Sequence, residues 1–168
     1  MNYHKILHDD QLNGEGLRVV VFLSGCSHHC EGCHNPQTWD SKSGKKFDQA
    51  AKDEIVHYLS QDYTDGITLS GGDPLDYGNV EDVLELCKDI KSTFPNKSIW
   101  VYTGYTIEEL LQHPIQKKVL EVVDVLVDGP FMLKFFDAKY PYAGSTNQRI
   151  IDVKQTLKTG IVVPYNID

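Results

Sequence analysis

Two hydrophobic rhythms alternate along the chain. Residues 17 to 23, LRVVVFL, form a near-continuous apolar run rich in valine, the pattern of a strand buried on both faces of a parallel sheet. From Asp48, the stretch DQAAKDEIVHYLS puts Ala51, Ile55 and the pair Tyr58/Leu59 on one helical face, with Asp48 placed as the N-cap. GITLSGGDP predicts a short strand closed by two glycines and a proline, and Val80, Val83, Leu84, Cys87 and Ile90 then recur at helical spacing. Cys87 lies on that apolar stripe and is expected in the core. IWVYTG, residues 99 to 104, reads as a third strand. Thr106 and Glu109 make a capping box for a helix through Leu111, and Pro114 ends that helix or begins the next. A helical stretch from Ile115 to Val122 leads into a strand, VDVLVDG, from Val123. Residues 130 to 149 are aromatic and irregular, and Ile150 to Val153 and Ile161 to Val163 are candidate edge strands.

Strand and helix in alternation imply right-handed crossovers and a parallel sheet with flanking helices, an α/β fold. A chain of 168 residues suits one domain, residues 1–168, built on one core. A closed eight-fold barrel usually needs about 250 residues, so the architecture is an open sheet or a truncated, TIM-like β/α barrel, and the barrel is the form adopted as the expectation. In either form sites gather at the carboxyl ends of strands. The cysteine-rich loop after Leu23, Gly71-Gly72, Thr103-Gly104 and Asp128-Gly129 all fall there.

Composition narrows the partners. With 40% hydrophobic and 24% charged residues the chain is an ordinary globular one, and its formal charge of −8 argues against broad attraction to nucleic acid or anionic lipid. No apolar run of about 18 residues exists to span a membrane, and MNYHKILHDD lacks the apolar core of a signal peptide. The expected compartment is the cytoplasm, where thiols stay reduced and clustered cysteines serve as metal ligands or redox groups.

Three of the four cysteines, Cys26, Cys30 and Cys33, are spaced C-x3-C-x2-C in FLSGCSHHCEGCHNPQTW. A structural zinc site is normally closed by four ligands, often from two separated pairs; here His28, His29 or His34 would have to complete a Cys3His site within one tight loop. A four-iron cluster usually takes four thiolates, so three would leave one iron open to a substrate. Zinc, cluster and disulfide all remain chemically open on spacing alone.

The spacing, on a loop directly after the first buried strand, resembles the radical S-adenosylmethionine family. Ser70-Gly71-Gly72-Asp73-Pro74 is the second element of that resemblance, glycines there allowing close backbone approach to a ligand. NGEGLRVVVFLSGC (13 to 26), CEGCHNPQTW (30 to 39), ITLSGGDPL (67 to 75), WVYTGY (100 to 105), VLVDGPF (125 to 131) and GSTNQR (144 to 149) together look like the activating proteins of anaerobic ribonucleoside-triphosphate reductase. The resemblance implies a 4Fe-4S cluster on Cys26, Cys30 and Cys33 whose open iron chelates S-adenosyl-L-methionine. Reductive cleavage would give methionine and a 5′-deoxyadenosyl radical, which removes a hydrogen from a backbone glycine of the partner reductase. It also implies Gly32, Cys33 and His34 beside the cofactor, Gly71, Gly72 and Asp73 at its methionine end, and no catalytic side chain assigned beyond the cluster. No second cluster or flavin motif is visible, so an external one-electron donor of the flavodoxin type is expected, and a homodimer or a hetero-tetramer with the reductase is left open. The competing readings are an activase of another glycyl-radical enzyme, such as pyruvate formate-lyase, and a zinc-stabilised binding module.

Several positions depart from the pattern or admit plainer roles. Gly32 stands where many members of the family carry an aromatic residue near adenine, leaving the adenine contact to backbone or to His34. His28 and His29 are expected to be solvent-exposed, Asp128 to belong to an Asp-Gly turn, and Arg149 to bind a carboxylate or make a surface ion pair in equal measure. Trp100, Tyr102 and Tyr105 are expected in the core, and FMLKFF (131 to 136) is either an exposed patch for the partner or buried packing.

Overall fold

In the computed structural model, which describes residues 1–167, one sheet holds seven strands. They are β1 (Asn2–Asp10), β2 (Arg18–Leu23), β3 (Lys45–Lys46), β4 (Gly66–Gly71), β5 (Ser98–Tyr102), β6 (Val125–Asp128) and β7 (Arg149–Asp152), in the order β3-β1-β2-β4-β5-β6-β7. The strands β2, β4, β5 and β6 are parallel, as their apolar runs predict. The sheet as a whole is mixed, which corrects the all-parallel expectation: β1 pairs antiparallel with β2 and β3, and β7 antiparallel with β6. β7 returns from β6 through an irregular segment, and an antiparallel neighbour, unlike a parallel one, needs no crossover helix. β1 carries no periodicity that marks it as a strand. It is a half-exposed strand whose register shifts twice against β2, so it shows neither an apolar run nor clean alternation.

The helices are α1 (Gln49–Leu59), α2 (Val80–Thr93), α3 (Ile107–Leu110), α4 (Pro114–Leu120) and α5 (Val153–Thr159). Asp48 caps α1 by accepting from Ala51 N at 3.0 Å, Thr106 and Glu109 form the capping box of α3, and Pro114 opens α4. The apolar tail Ile161 to Val163, read as a strand, forms none; Asp152 instead caps α5, which Gly160 ends at a left-handed φ of 79°.

All five helices pack on the same side of the sheet. Val19, Val21, Leu23, Ile67, Leu69, Ile99, Val101 and Leu126 point into one core with Ile55, Leu59, Val83, Leu110, Val119 and Val153 from the helices. Cys87 lies in this core with no exposed surface, and burial pushes its thiol up to about 12. The opposite side carries the alternate residues, among them Arg18, Thr68, Trp100 and Val127. Arg18 is buried there with all five guanidinium N–H groups donated: to Thr68 Oγ1 (2.8 Å), Glu15 O (3.0 Å), Ser98 Oγ (3.0 Å), Ile67 O (2.9 Å) and Ser98 O (2.8 Å). Its guanidinium also stands 5.5 Å from the Trp100 ring. Trp100 is buried as expected, whereas Tyr102 and Tyr105 are only partly so. Among the described residues no helix is long and apolar enough to cross a membrane.

Candidate functional site

At the carboxyl ends of β2 and β4 two loops are sewn together by their backbones. Gly72 N donates to Leu23 O (2.8 Å) and Asp73 N to Gly25 O (2.7 Å), while Gly25 N and Cys26 N donate to Thr38 O (2.7 Å) and Trp39 O (3.1 Å). Buried Asn79 adds two bonds from Nδ2, to Ser24 O at 2.8 Å and Asp73 O at 3.0 Å. Glycine is required where the loops meet. Gly71 sits at φ 101°, and a Cβ there would stand 2.4 Å from Leu23 N; a Cβ on Gly72 would stand 2.6 Å from Gly25 O. The glycine pair found in the sequence is thus what lets the cysteine loop lie directly against the β4 turn.

A cavity of about 480 Å³ opens on this rim, and Cys26, Cys30 and Cys33 line it together with His34, Gly71, Gly72, Thr103, Gly104 and Phe131. All three thiols are free and partly buried. Burial pushes the Cys26 thiol up to about 11 and raises that of Cys30, so thiolates here call for a cationic partner. Among the described residues no three His, Cys, Asp or Glu side chains are gathered closely enough to hold one ion. Soft thiolates on one cavity wall fit an iron-sulfur cluster, which takes its protein thiolates on different irons.

The other predicted residues fall as follows. Gly32 is at φ 74°, and a Cβ there would meet Leu133 Cδ1 at 2.9 Å, so Leu133 occupies the space that a larger residue would need. His34 is exposed, with its ring 4.9 Å from Phe131 and 5.9 Å from Phe136. Asp73 is absent from the cavity lining; its carboxylate is fully buried and accepts from Thr103 Oγ1 (2.9 Å), Gly104 N (2.9 Å) and Leu75 N (2.9 Å). His28 Nε2 lies 2.8 Å from Asp73 Oδ2, so His28 is drawn inward and is not the exposed residue expected; the hydrogen bond to Asp73 raises its pKa. His29 is exposed and stacks on Trp39 at 4.6 Å.

Asp128 departs from the expected Asp-Gly turn: it ends β6 as a buried ion-pair partner, and the chain only bends at Gly129. Its Oδ2 accepts from Arg149 Nη2 (2.5 Å) and Ile107 N (2.8 Å), and Arg149 reaches on to Glu108 at 2.5 Å. Arg149 is therefore occupied by carboxylates of its own chain. Of the aromatic tract, Met132, Leu133, Phe135 and Phe136 are exposed, while Phe131 lines the cavity. The contribution of Phe131 and the His28–Asp73 pair had no local signal in the sequence, because each depends on segments far apart in the chain.

Comparison with known proteins agrees with this geometry. The model of the 4Fe-4S single cluster domain family matches residues 12–151, which include the three cysteines and the glycine pair. The chain is 43% identical over 150 residues to the anaerobic ribonucleoside-triphosphate reductase-activating protein of Escherichia coli (strain K12), covering 88% of this chain and 96% of that one. It is 42% identical over 150 residues to the protein of that name in Enterobacteria phage T4, covering 89% and 93%. The Vibrio cholerae protein of the same name is 41% identical over 152 residues, covering 89% and 97%. With cysteine loop, glycine turn and nearly full-length similarity in agreement, the chain belongs to the family of anaerobic ribonucleoside-triphosphate reductase-activating proteins, with a 4Fe-4S single cluster domain.

Proposed function

We propose that this protein activates an anaerobic ribonucleoside-triphosphate reductase by generating a glycyl radical on it, with a 4Fe-4S cluster on Cys26, Cys30 and Cys33 and S-adenosylmethionine beside it. The observation that carries this reading is the set of three thiols lining one cavity with the Gly71-Gly72 turn, while the fourth, Cys87, is sealed in the core. When bound, cluster and cofactor supply a one-electron cleavage whose organic radical takes a hydrogen atom from the partner's glycine. The chain's own residues bind and orient. Gly71 and Gly72, which line the cavity, present backbone at the methionine end, since no Cβ intervenes, and the buried Asp73 holds their turn from behind. Gly32, Cys33 and His34 lie at the adenine end, where the neighbouring rings of His34 and Phe131 offer flat faces for a purine.

Helices confined to one side of the sheet, with the cavity at its rim, support a truncated TIM-like β/α barrel as the architecture. A flavodoxin-type donor in the cytoplasm would supply the electron. The test is anaerobic reconstitution followed by incubation with S-adenosylmethionine, dithionite and an anaerobic ribonucleoside-triphosphate reductase. A doublet glycyl-radical signal in electron paramagnetic resonance is expected. Cofactor cleavage without that signal would move the partner to another glycyl-radical enzyme, and a protein that holds zinc and no acid-labile sulfide would overturn the reading.

A further inference from the structure

The buried Asp73 carboxylate joins three segments at the strand ends. Its oxygens accept from Leu75 N in its own turn, from Thr103 Oγ1 and Gly104 N after β5, and lie against His28 Nε2 from the loop after β2. A carboxylate only accepts, so Nε2 is the protonated nitrogen that donates to it. His28 stands midway between Cys26 and Cys30. Its ring is edge-on to Tyr105 at 4.5 Å and lies so close to Gly104 that a Cβ there would be 2.6 Å from His28 Cδ2. A glycine at 104 therefore makes the slot into which the imidazole fits.

We infer that His28 is a positioning residue: by donating to Asp73 it fixes the span between the first two cluster thiols against the end of β5, and the Asp73 carboxylate serves as this brace, not as a ligand of the cofactor. The inference rests on the cluster assignment of the proposed function. Groups that orient metal ligands from behind are worth about 10- to 100-fold in metal affinity, which sets the scale of the expected effect.

The test uses the full chain, reconstituted anaerobically without S-adenosylmethionine, and follows release of iron to a ferrous chelator together with the electron paramagnetic resonance spectrum of the reduced cluster. His28→Ala and His28→Phe, the second filling the slot without a donor, are expected to release iron roughly tenfold faster or more, with an altered spectrum. Gly104→Ala, which pushes the ring off Asp73, is expected to behave like them. His28→Gln, whose amide can donate to Asp73, is expected to restore most of the wild-type rate; circular dichroism verifies that each variant is folded. Wild-type iron release in His28→Ala or His28→Phe, or a His28→Gln protein as labile as His28→Ala, would overturn the inference. Failure of the wild-type protein to take up a four-iron cluster would instead overturn the reading on which it rests.

Discussion

Serine at Cys26, Cys30 or Cys33, the proposed ligands, is expected to abolish the cluster's visible absorption and to lower radical activation by at least about 100-fold, because losing a ligand would exceed the 10- to 100-fold that groups behind ligands contribute. The chain itself is expected to fold. None of the three side chains belongs to the hydrophobic core, and the loop that bears them is held by backbone bonds from Gly25, Cys26, Gly72 and Asp73 that serine leaves intact. Cys87→Ala is the contrasting variant: it removes a buried sulfur from beneath α2, costs about 1–2 kcal/mol through the small cavity it leaves, and keeps the cluster. Iron and acid-labile sulfide content, read beside a urea unfolding curve, separates the two classes. Full cluster loading in Cys30→Ser would remove Cys30 from the ligand set.

The second large effect is on stability, at Arg18→Met. Burial lowers the Arg18 pKa to about 10, and a depression of that size means roughly 3 kcal/mol set against the charge. Five hydrogen bonds from a charged donor, at about 1.5 kcal/mol or more each, outweigh that cost. Methionine removes them all, and leaves Thr68, Ser98 and the carbonyls of Glu15 and Ile67 short of a donor in a place where water has little access. A net loss of about 3–5 kcal/mol is expected, a large share of the 5–15 kcal/mol typical of a domain. Urea unfolding of the metal-free protein at neutral pH measures it, and Arg18→Lys, with three donors on one nitrogen, is expected to recover only part. A loss under about 1 kcal/mol for Arg18→Met would show that the relieved charge offsets most of what the bonds contribute, against the expectation.

The four central strands were legible because LRVVVFL, GITLSG, IWVY and VLVD are buried on both faces, and burial on both faces writes an apolar run that local reading detects. β1 carries lysine, histidines and aspartates on a half-exposed strand, and α5 buries only Val153 and Thr156, so neither has a periodicity to read. The cysteine loop and glycine turn were legible because their chemistry demands particular residues at short spacing. His28 was misjudged as exposed because its partner Asp73 is 45 residues away, and the burial of Asp128 was missed because Arg149 lies 21 residues on; side-chain bonds at such separations leave no mark on the local sequence. Arg18 shows the same limit within an apolar run: its five acceptors come from segments up to 80 residues away, brought within reach only once the sheet forms.

The sealed position of Cys87 gives the molecule an internal counting standard. Alkylating reagents meet thiols at a rate set by access and by thiolate fraction, and Cys87 offers neither, with no exposed surface and a pKa near 12. The metal-free native chain therefore has three thiols open to reagent, Cys26 slower because burial pushes it up to about 11, and the unfolded chain four. A single mass measurement after brief labelling reports on one sample both whether the cavity thiols are masked and whether the core beneath α2 is intact.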